Sequence, residues 1–107
     1  MLAKKHRIDR KLFEEVAKKG KSFSSPYLSL KTAPTAENQS RFAFVVSSKV
    51  AKKAVDRNKI KRRARNIVQK LLVKIKKQIN AIIFFKKGAE KLTFSELEKE
   101  INDIFNF

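Results

Sequence analysis

The sequence predicts a mixed α+β fold in a single domain that spans residues 1–107. The length of 107 residues supplies one hydrophobic core of ordinary size and not two. Apolar residues recur with a period of two in some segments and of three to four in others, which indicates both strands and helices. With 42% hydrophobic residues, 2 Gly and 2 Pro, the composition is that of a folded chain and not of a linker. The expected order is helix, strand, strand, helix, strand, helix, with room for another short strand near residues 21–25 or 45–50.

A short helix is predicted over residues 10–19. Asp9 is a suitable N-cap for it, and Gly20 is a suitable stop. Apolar residues lie four apart on two adjacent stripes, formed by Leu12 with Val16 and by Phe13 with Ala17. One side of this helix is therefore expected to be apolar.

Two strands are predicted to follow the first helix. Leu28 and Leu30 alternate with polar neighbours after Pro26, which indicates a half-buried strand. The polar segment 34–40 suggests a hairpin connection to a second strand over residues 41–47. This second strand is more apolar, so we expect it to be more central in the sheet.

The second half of the chain predicts a long helix, a buried strand and a final helix. From residues 54–56 onward, apolar residues recur every three or four positions and form one buried stripe: Ile60, Ala64, Ile67, Val68, Leu71 and Ile75. The continuous apolar run 81–85 indicates a buried strand. Thr93 and Glu96 match the S/T-x-x-E capping box that opens a last helix. The core face of that helix comprises Leu97, Ile101, Ile104 and Phe105.

The charge is strongly positive and unevenly distributed. Lys and Arg number 27 against 10 Asp and Glu, which gives a formal net charge of +17. Residues 49–77 alone carry 13 basic side chains and a single acid, Asp56. Residues 90–107 have 5 acids and 2 Lys, so the sign reverses at the end of the chain. A concentration of cations on one side of the molecule indicates a polyanionic partner, and nucleic acid is the leading candidate.

The sequence offers little for catalysis by the protein itself. With 0 Cys and 1 His, neither a thiolate zinc site nor a two-His metal site can form. His6 is better explained as part of a basic N-terminal arm than as a catalytic group. The carboxylates of neighbouring and alternate Glu residues point apart on helices and are better explained as solvated charges. No apolar run is long enough to cross a membrane, so we expect an intracellular protein located in the cytoplasm.

Residues 44–65 combine a strand pattern, a Ser/Lys turn and a basic helix. Within them, Ala54-Val55-Asp56-Arg57-Asn58-Lys59-Ile60-Lys61-Arg62 is similar to the motif of the bacterial ribonuclease P protein family, in which Arg-Asn-Arg or Arg-Asn-Lys is followed by an apolar residue, Lys and Arg. Spacing, flanking elements, chain length and element order all agree. The resemblance therefore covers nearly the whole chain.

The resemblance implies a fold and a function beyond what charge alone indicates. Proteins of this family form an α/β sandwich of order αβββαβα, with a fold like that of a ribosomal protein domain and a left-handed βαβ crossover that contains the motif helix. They assist a catalytic RNA that uses Mg²⁺ to remove the 5′ leader from precursor tRNA. The Mg²⁺ is held mainly by RNA and substrate, so we expect no metal site and no catalytic residue in this chain. Without RNA, the protein is expected to be monomeric.

The resemblance also assigns two sets of residues. The expected contacts to the catalytic RNA are Lys53, Arg57, Asn58, Lys59, Lys61, Arg62 and Arg65. The expected contacts to the tRNA leader are Phe13, Ala17, Tyr27, Leu30, Ser47, Ser48 and Lys49. Ala17 stands where the family frequently has a second aromatic ring. Alternation alone leaves open whether Tyr27 or Leu30 faces the leader.

Two other functions remain open at this point. A small structural protein that binds ribosomal RNA would carry the same charge without any link to an enzyme. A membrane-surface protein would also use a basic amphipathic helix, but the apolar stripe of the long helix is needed to cover the sheet. Taken alone, Phe13 would more often be a core residue than a platform for a base.

Overall fold

The structure is a computed structural model, and it describes residues 6–35, 40–72, 74 and 78–105. The elements are α1 (Arg10–Lys19), β1 (Lys21–Ser24), β2 (Leu28–Pro34), β3 (Arg41–Val45), α2 (Ala54–Leu71), β4 (Ile79–Phe85) and α3 (Phe94–Ile104), with a 3-10 turn at Ala89–Lys91. The predicted α+β class and the order αβββαβα are confirmed. The additional short strand lies at the earlier of the two expected positions.

The four strands form one sheet in the order β1-β2-β4-β3. Strand β2 pairs antiparallel with β1 and with β4, whereas β3 pairs parallel with β4. The predicted hairpin between β2 and β3 is therefore wrong, because β4 lies between them. The prediction that β3 is central is also wrong, since β3 forms an edge of the sheet. Ile8 borders this edge, and its N–H donates to the carbonyl oxygen of Phe42 at 3.1 Å.

The central position belongs to β4 because its side chains are apolar on both faces. Ala81, Ile82 and Ile83 are all fully buried, whereas Phe42 is the one buried residue in β3. A strand that is covered on both faces gains more from an inner position than a strand with one solvated face. Loop polarity suggested a hairpin, but burial decides which strands are neighbours.

Helix α2 connects the parallel strands β3 and β4, so the predicted βαβ crossover around the basic helix is confirmed. Its left-handed sense stays a prediction. The stripe predicted for α2 is buried at Ile60, Ala64, Ile67, Val68 and Leu71, and Ile75 lies outside the described residues. These side chains join the buried residues of α3 and one face of the sheet in a single core cluster. Helix α1 covers part of the opposite face.

Helix α1 begins and ends where the sequence predicts. The Asp9 side chain accepts a hydrogen bond from the N–H of Leu12 at 2.8 Å. Gly20 ends the helix with extended backbone, at φ −71°, so left-handed geometry is not the reason for glycine here. A Cβ at this position would lie 2.5 Å from the carbonyl oxygen of Val16 and 2.9 Å from that of Thr32. Glycine is required because a side chain here would collide with the last turn of α1 and with the adjacent backbone of β2.

Helix α3 opens with the predicted capping box. The Thr93 hydroxyl accepts from the N–H of Glu96 at 3.2 Å, and the Glu96 carboxylate accepts from the N–H of Thr93 at 2.9 Å. These hydrogen bonds, the one from the Thr93 backbone above all, hold the pKa of Glu96 below its ordinary value. The predicted core face is buried at Leu97, Ile101 and Ile104.

Candidate RNA-binding surface

The strand register assigns each side chain of the sheet to one of two faces. Leu28, Leu30 and Ile83 belong to the core cluster shared with α2 and α3. Because neighbouring residues alternate in a strand, Ser29 of β2 and Phe84 of β4, which pair directly, point to the opposite face, the one that α1 partly covers. Val45 at the end of β3 pairs with Phe84 from the other side.

Helix α1 leaves part of this face open, and two aromatic rings mark the boundary. The rings of Phe13 on α1 and Phe84 on β4 meet edge to face, with centroids 6.4 Å apart and an interplanar angle of 64°. Both side chains are half-buried, as are Ser29 and Val45 on either side of Phe84. We call the half-buried surface formed by Phe13, Ser29, Val45 and Phe84 the aromatic cleft. Such rings can stack on unpaired bases of any identity.

Phe84 is a candidate site residue that the sequence analysis did not identify. The run 81–85 is apolar at every position, so alternation could not show which side chains face the core and which face α1. The informative signal is the pairing of Phe84 with the polar Ser29, which becomes visible only once the strand register is known.

The residues expected to contact a leader are not equally accessible. Leu30 is 0% exposed and lies in the core between the sheet and the helices α2 and α3, so its assignment to the leader is wrong. Tyr27 is 37% exposed and is the accessible one of the two. Ala17 is half-buried one turn after Phe13, and its carbonyl oxygen accepts a hydrogen bond from Nζ of Lys31 at 2.7 Å.

Tyr27 stands at the entrance to β2, where several contacts fix its backbone. Its N–H donates to the Glu100 carboxylate of α3 at 3.0 Å, and its carbonyl oxygen accepts from the N–H of Lys86 at 2.9 Å. Its ring passes close to Gly88, where a Cβ would lie 3.1 Å from the ring. Tyr27 is thus an exposed aromatic residue whose backbone is held in place at one end of the sheet.

Residues 46–53, which we call the connecting turn, join β3 to α2. The N–H groups of Val50 and Ala51 donate to the Ser47 carbonyl oxygen at 3.1 and 3.2 Å, and both apolar side chains are buried. The polar side chains of the turn are exposed: Ser47, Ser48, Lys49, Lys52 and Lys53. Since β3 ends at Val45 beside Phe84, the turn leaves the sheet at the same end as the aromatic cleft.

Helix α2 presents cations on two flanks that differ in their surroundings. Asn58, Arg62 and the half-buried Lys61 and Arg65 form the outer flank, away from α3. On the inner flank, Lys59 and Arg63 line a cavity of about 290 Å³ together with two acidic residues, Asp56 and Glu90. Further along this flank, Nζ of Lys70 lies 5.8 Å from the centroid of the Phe94 ring of α3. The acids reduce the positive potential beside α3, so the outer flank carries the stronger positive potential. Lys59, expected to contact the RNA, lies on the less positive side.

Arg57 differs from the other cations of the motif because its side chain turns back on the protein. Its Nη1 donates to the carbonyl oxygens of Ala51 at 2.9 Å and Lys52 at 2.7 Å. The guanidinium therefore lies over the connecting turn and is half-buried.

The comparisons with known proteins agree with this geometry. The family model described as Ribonuclease P matches residues 2–106. The ribonuclease P protein component of Microcystis aeruginosa is 34% identical and aligns over 94% of this chain and 84% of the relative. That of Pseudanabaena sp. is 34% identical over 97% of this chain and 91% of the relative.

The chain belongs to the bacterial ribonuclease P protein family. Solved structures of family members have the same fold. The Staphylococcus aureus RNase P protein is 28% identical with a TM-score of 0.80, over 94% of this chain and 98% of that one. The Thermotoga maritima RNase P protein is 25% identical with a TM-score of 0.84, over 94% and 96% of the two chains.

As a ribonuclease P protein, the chain is the protein component of an endoribonuclease that processes tRNA, and its partner is ribonuclease P RNA. This result favours the ribonuclease P interpretation over that of a structural protein bound to ribosomal RNA. The membrane-surface alternative also loses its basis, because the apolar stripe of α2 is buried in the core.

The described part of this ribonuclease P protein shows no cluster of three or more His, Asp or Glu side chains suited to a metal ion. His6 has a structural contact, since its Nδ1 lies 2.7 Å from the carbonyl oxygen of Ser40. Among the described residues, no helix combines the length and the apolarity needed to cross a bilayer.

Proposed function

We propose that this ribonuclease P protein holds the catalytic RNA on the outer flank of α2 and the single-stranded 5′ leader of precursor tRNA in the aromatic cleft. The observation that carries the proposal is the position of the connecting turn. It leaves the sheet beside Phe84 and leads directly into α2, so one strip of backbone links the two surfaces. An RNA bound to α2 and a leader bound in the cleft would therefore meet at the turn.

The chemistry of the two surfaces supports this division. Arg62 and Arg65 offer planar guanidinium groups, and Lys61 offers a point charge, which together suit the phosphates of a folded RNA. Phe13 and Phe84 offer ring faces to unpaired bases without a requirement for their sequence. Leaders differ in sequence between tRNA genes, so a sequence-tolerant platform fits that substrate.

We propose that Mg²⁺ is held by the RNA and the substrate, and that the chain acts by lowering electrostatic repulsion between them. The charge distribution supports this, since residues 49–77 carry 13 basic side chains and a single acid, Asp56. Cations near closely spaced phosphates reduce the amount of divalent ion needed to bring two RNAs together. The chain is proposed to be monomeric without RNA and to act in the cytoplasm, where precursor tRNA is processed.

Cleavage of precursor tRNA by a bacterial ribonuclease P RNA tests the proposal. At low Mg²⁺ the RNA alone should be slow, and addition of this protein should increase the rate of leader removal. A precursor with a leader of one nucleotide serves as the matched control, because it cannot reach into the aromatic cleft. Equal stimulation of both substrates would contradict the leader site, and no stimulation of either would contradict the proposed function as a whole.

A further inference from the structure

Arg57 makes the most specific side-chain contact of the cationic motif. One terminal nitrogen, Nη1, bridges two consecutive carbonyl oxygens of the connecting turn, those of Ala51 and Lys52, at 2.9 and 2.7 Å. The planar guanidinium can meet two backbone acceptors in a fixed direction, whereas a lysine ammonium is a compact and strongly hydrated charge. Both bonds leave one terminal nitrogen, which lies one bond further along the side chain than the nitrogen of lysine, so the contact depends on the length of arginine as well as on its charge.

The connecting turn has few other polar restraints. Within the described part of the chain, the backbone bonds from Val50 and Ala51 to the Ser47 carbonyl hold its first half. The N-cap of α2 is Lys53, which makes no side-chain capping hydrogen bond. Ala51 is buried in the core cluster, and the N–H of Arg57 donates to the Lys53 carbonyl oxygen at 3.1 Å. To these restraints the Arg57 side chain adds the two hydrogen bonds that tie the second half of the turn to α2.

The turn also carries a dense group of positive charges. Lys49, Lys52 and Lys53 are all exposed within five residues. Like charges at this spacing repel each other and favour an expanded turn in the free protein. A fixed backbone counteracts this expansion and lowers the ordering cost when a polyanion binds.

We infer that Arg57 is a positioning residue, which locks the connecting turn against α2 so that the lysines of the turn are presented to RNA in one arrangement. The inference rests on the proposed function of this surface, and it changes the role expected for Arg57, which was direct contact with the catalytic RNA. Arg57 thus raises the affinity for RNA indirectly, because it positions the three lysines that bind the RNA: Lys49, Lys52 and Lys53.

Amide hydrogen exchange of the RNA-free protein tests the positioning role directly. In Arg57→Lys, exchange of the amide of Ala51, the residue whose carbonyl oxygen the Arg57 side chain binds, should become about tenfold faster or more, since the turn opens more readily. Arg62→Lys is the matched control. It is the same substitution on the same helix, but Arg62 is exposed and does not contact the turn. Unchanged protection of the β4 amides in both variants shows that the fold is intact. Equal protection of the turn in wild type and Arg57→Lys would overturn the inference.

A double-mutant cycle with Lys49→Ala tests the consequence for RNA. If Arg57 acts through the turn, Lys49→Ala should weaken binding to ribonuclease P RNA by a smaller factor in the Arg57→Lys background than in wild type. In the Arg62→Lys background the factor should equal that in wild type. Equal factors in all three backgrounds would overturn the inference. If protection of the turn falls but Lys49→Ala leaves RNA affinity unchanged, the backbone contact stands and the proposed RNA-binding role of the turn fails.

Discussion

The ring of Phe13 meets the ring of Phe84 edge to face, although 70 residues of chain separate them and one lies on a helix, the other on a strand. The contact joins α1 to the central strand β4 at the border of the open part of the sheet. Both side chains are half-buried: part of each ring contacts the other ring, and the rest of its surface stays accessible. Edge-to-face pairs of this kind contribute about 0.5–1.5 kcal/mol beyond the area that they bury.

Replacement of Phe13 by alanine should reduce binding of precursor tRNA in a manner that depends on the leader. Loss of a stacking ring is expected to cost about 1–3 kcal/mol in affinity for a precursor with a single-stranded leader. Affinity for mature tRNA and for ribonuclease P RNA should change little. Binding of both tRNAs to the reconstituted holoenzyme measures the difference.

A core variant provides the comparison for this prediction. Leu30→Ala removes a fully buried side chain and should destabilise the fold by about 2–5 kcal/mol, which lowers all three affinities together. Thermal melting separates the two patterns. If Phe13→Ala melts like Leu30→Ala and binds both tRNAs equally poorly, Phe13 is a core residue and the aromatic cleft is not the leader site.

Replacement of Gly20 by alanine should destabilise the protein without any change in charge or apolar area. The added Cβ would lie 2.5 Å from the Val16 carbonyl oxygen of α1 and 2.9 Å from the Thr32 carbonyl oxygen of β2, so the backbone at the end of α1 must shift. Overpacking of this kind costs about 1–3 kcal/mol. Chemical denaturation should show a lower midpoint for Gly20→Ala than for Lys19→Ala, an exposed neighbour that serves as the control. A midpoint equal to that of wild type would mean that the end of α1 accommodates a Cβ at this position without strain.

Local signals in the sequence were sufficient for the elements of this fold. Asp9 and Thr93 are recognisable as N-caps because each side-chain oxygen accepts from the backbone N–H three residues along the chain. The apolar stripe of α2 is recognisable because it repeats over several turns. Such patterns depend only on neighbours in the sequence.

Non-local relationships explain where the prediction was wrong. Strand β4 enters between β2 and β3 because both its faces can be buried, and this comparison requires the whole sheet. The inward direction of Leu30 and the accessibility of Phe84 follow from the same register. The contact of Arg57 with the backbone of Ala51 could not be distinguished from a phosphate contact, since spacing on a helix does not show where a long side chain folds.

The stability of helix α3 should depend on pH through Glu96. Its pKa in the folded state is lowered by hydrogen bonds from Thr93, so ionised Glu96 stabilises the fold above the ordinary glutamate pKa. This contribution is lost as the pH falls through the lowered value. Melting temperatures of wild type and Glu96→Gln should therefore converge in acid and differ near neutral pH. Glu98→Gln is the control, since Glu98 lies outside the capping box, and a pH profile of Glu96→Gln that runs parallel to wild type would contradict the prediction.

Salt should weaken binding to ribonuclease P RNA in proportion to the number of phosphates that the cations neutralise. If the motif helix and the connecting turn neutralise about six phosphates, the slope of log affinity against log salt should be roughly −4 to −5. Arg62→Gln removes one exposed cation from the outer flank and should make the slope shallower by roughly 0.7–0.9.

The control for this slope is Lys99→Gln, which removes one exposed cation from α3, the helix that carries the acidic end of the chain. Its formal charge change is the same as that of Arg62→Gln, so a difference between the two variants reports position and not net charge. Fluorescence anisotropy with labelled RNA across a salt series measures all three slopes. A defined interface releases counterions only where its cations neutralise phosphates, so Lys99→Gln should leave the slope unchanged. Equal changes of slope for Arg62→Gln and Lys99→Gln would mean that the RNA responds to the overall charge of the protein.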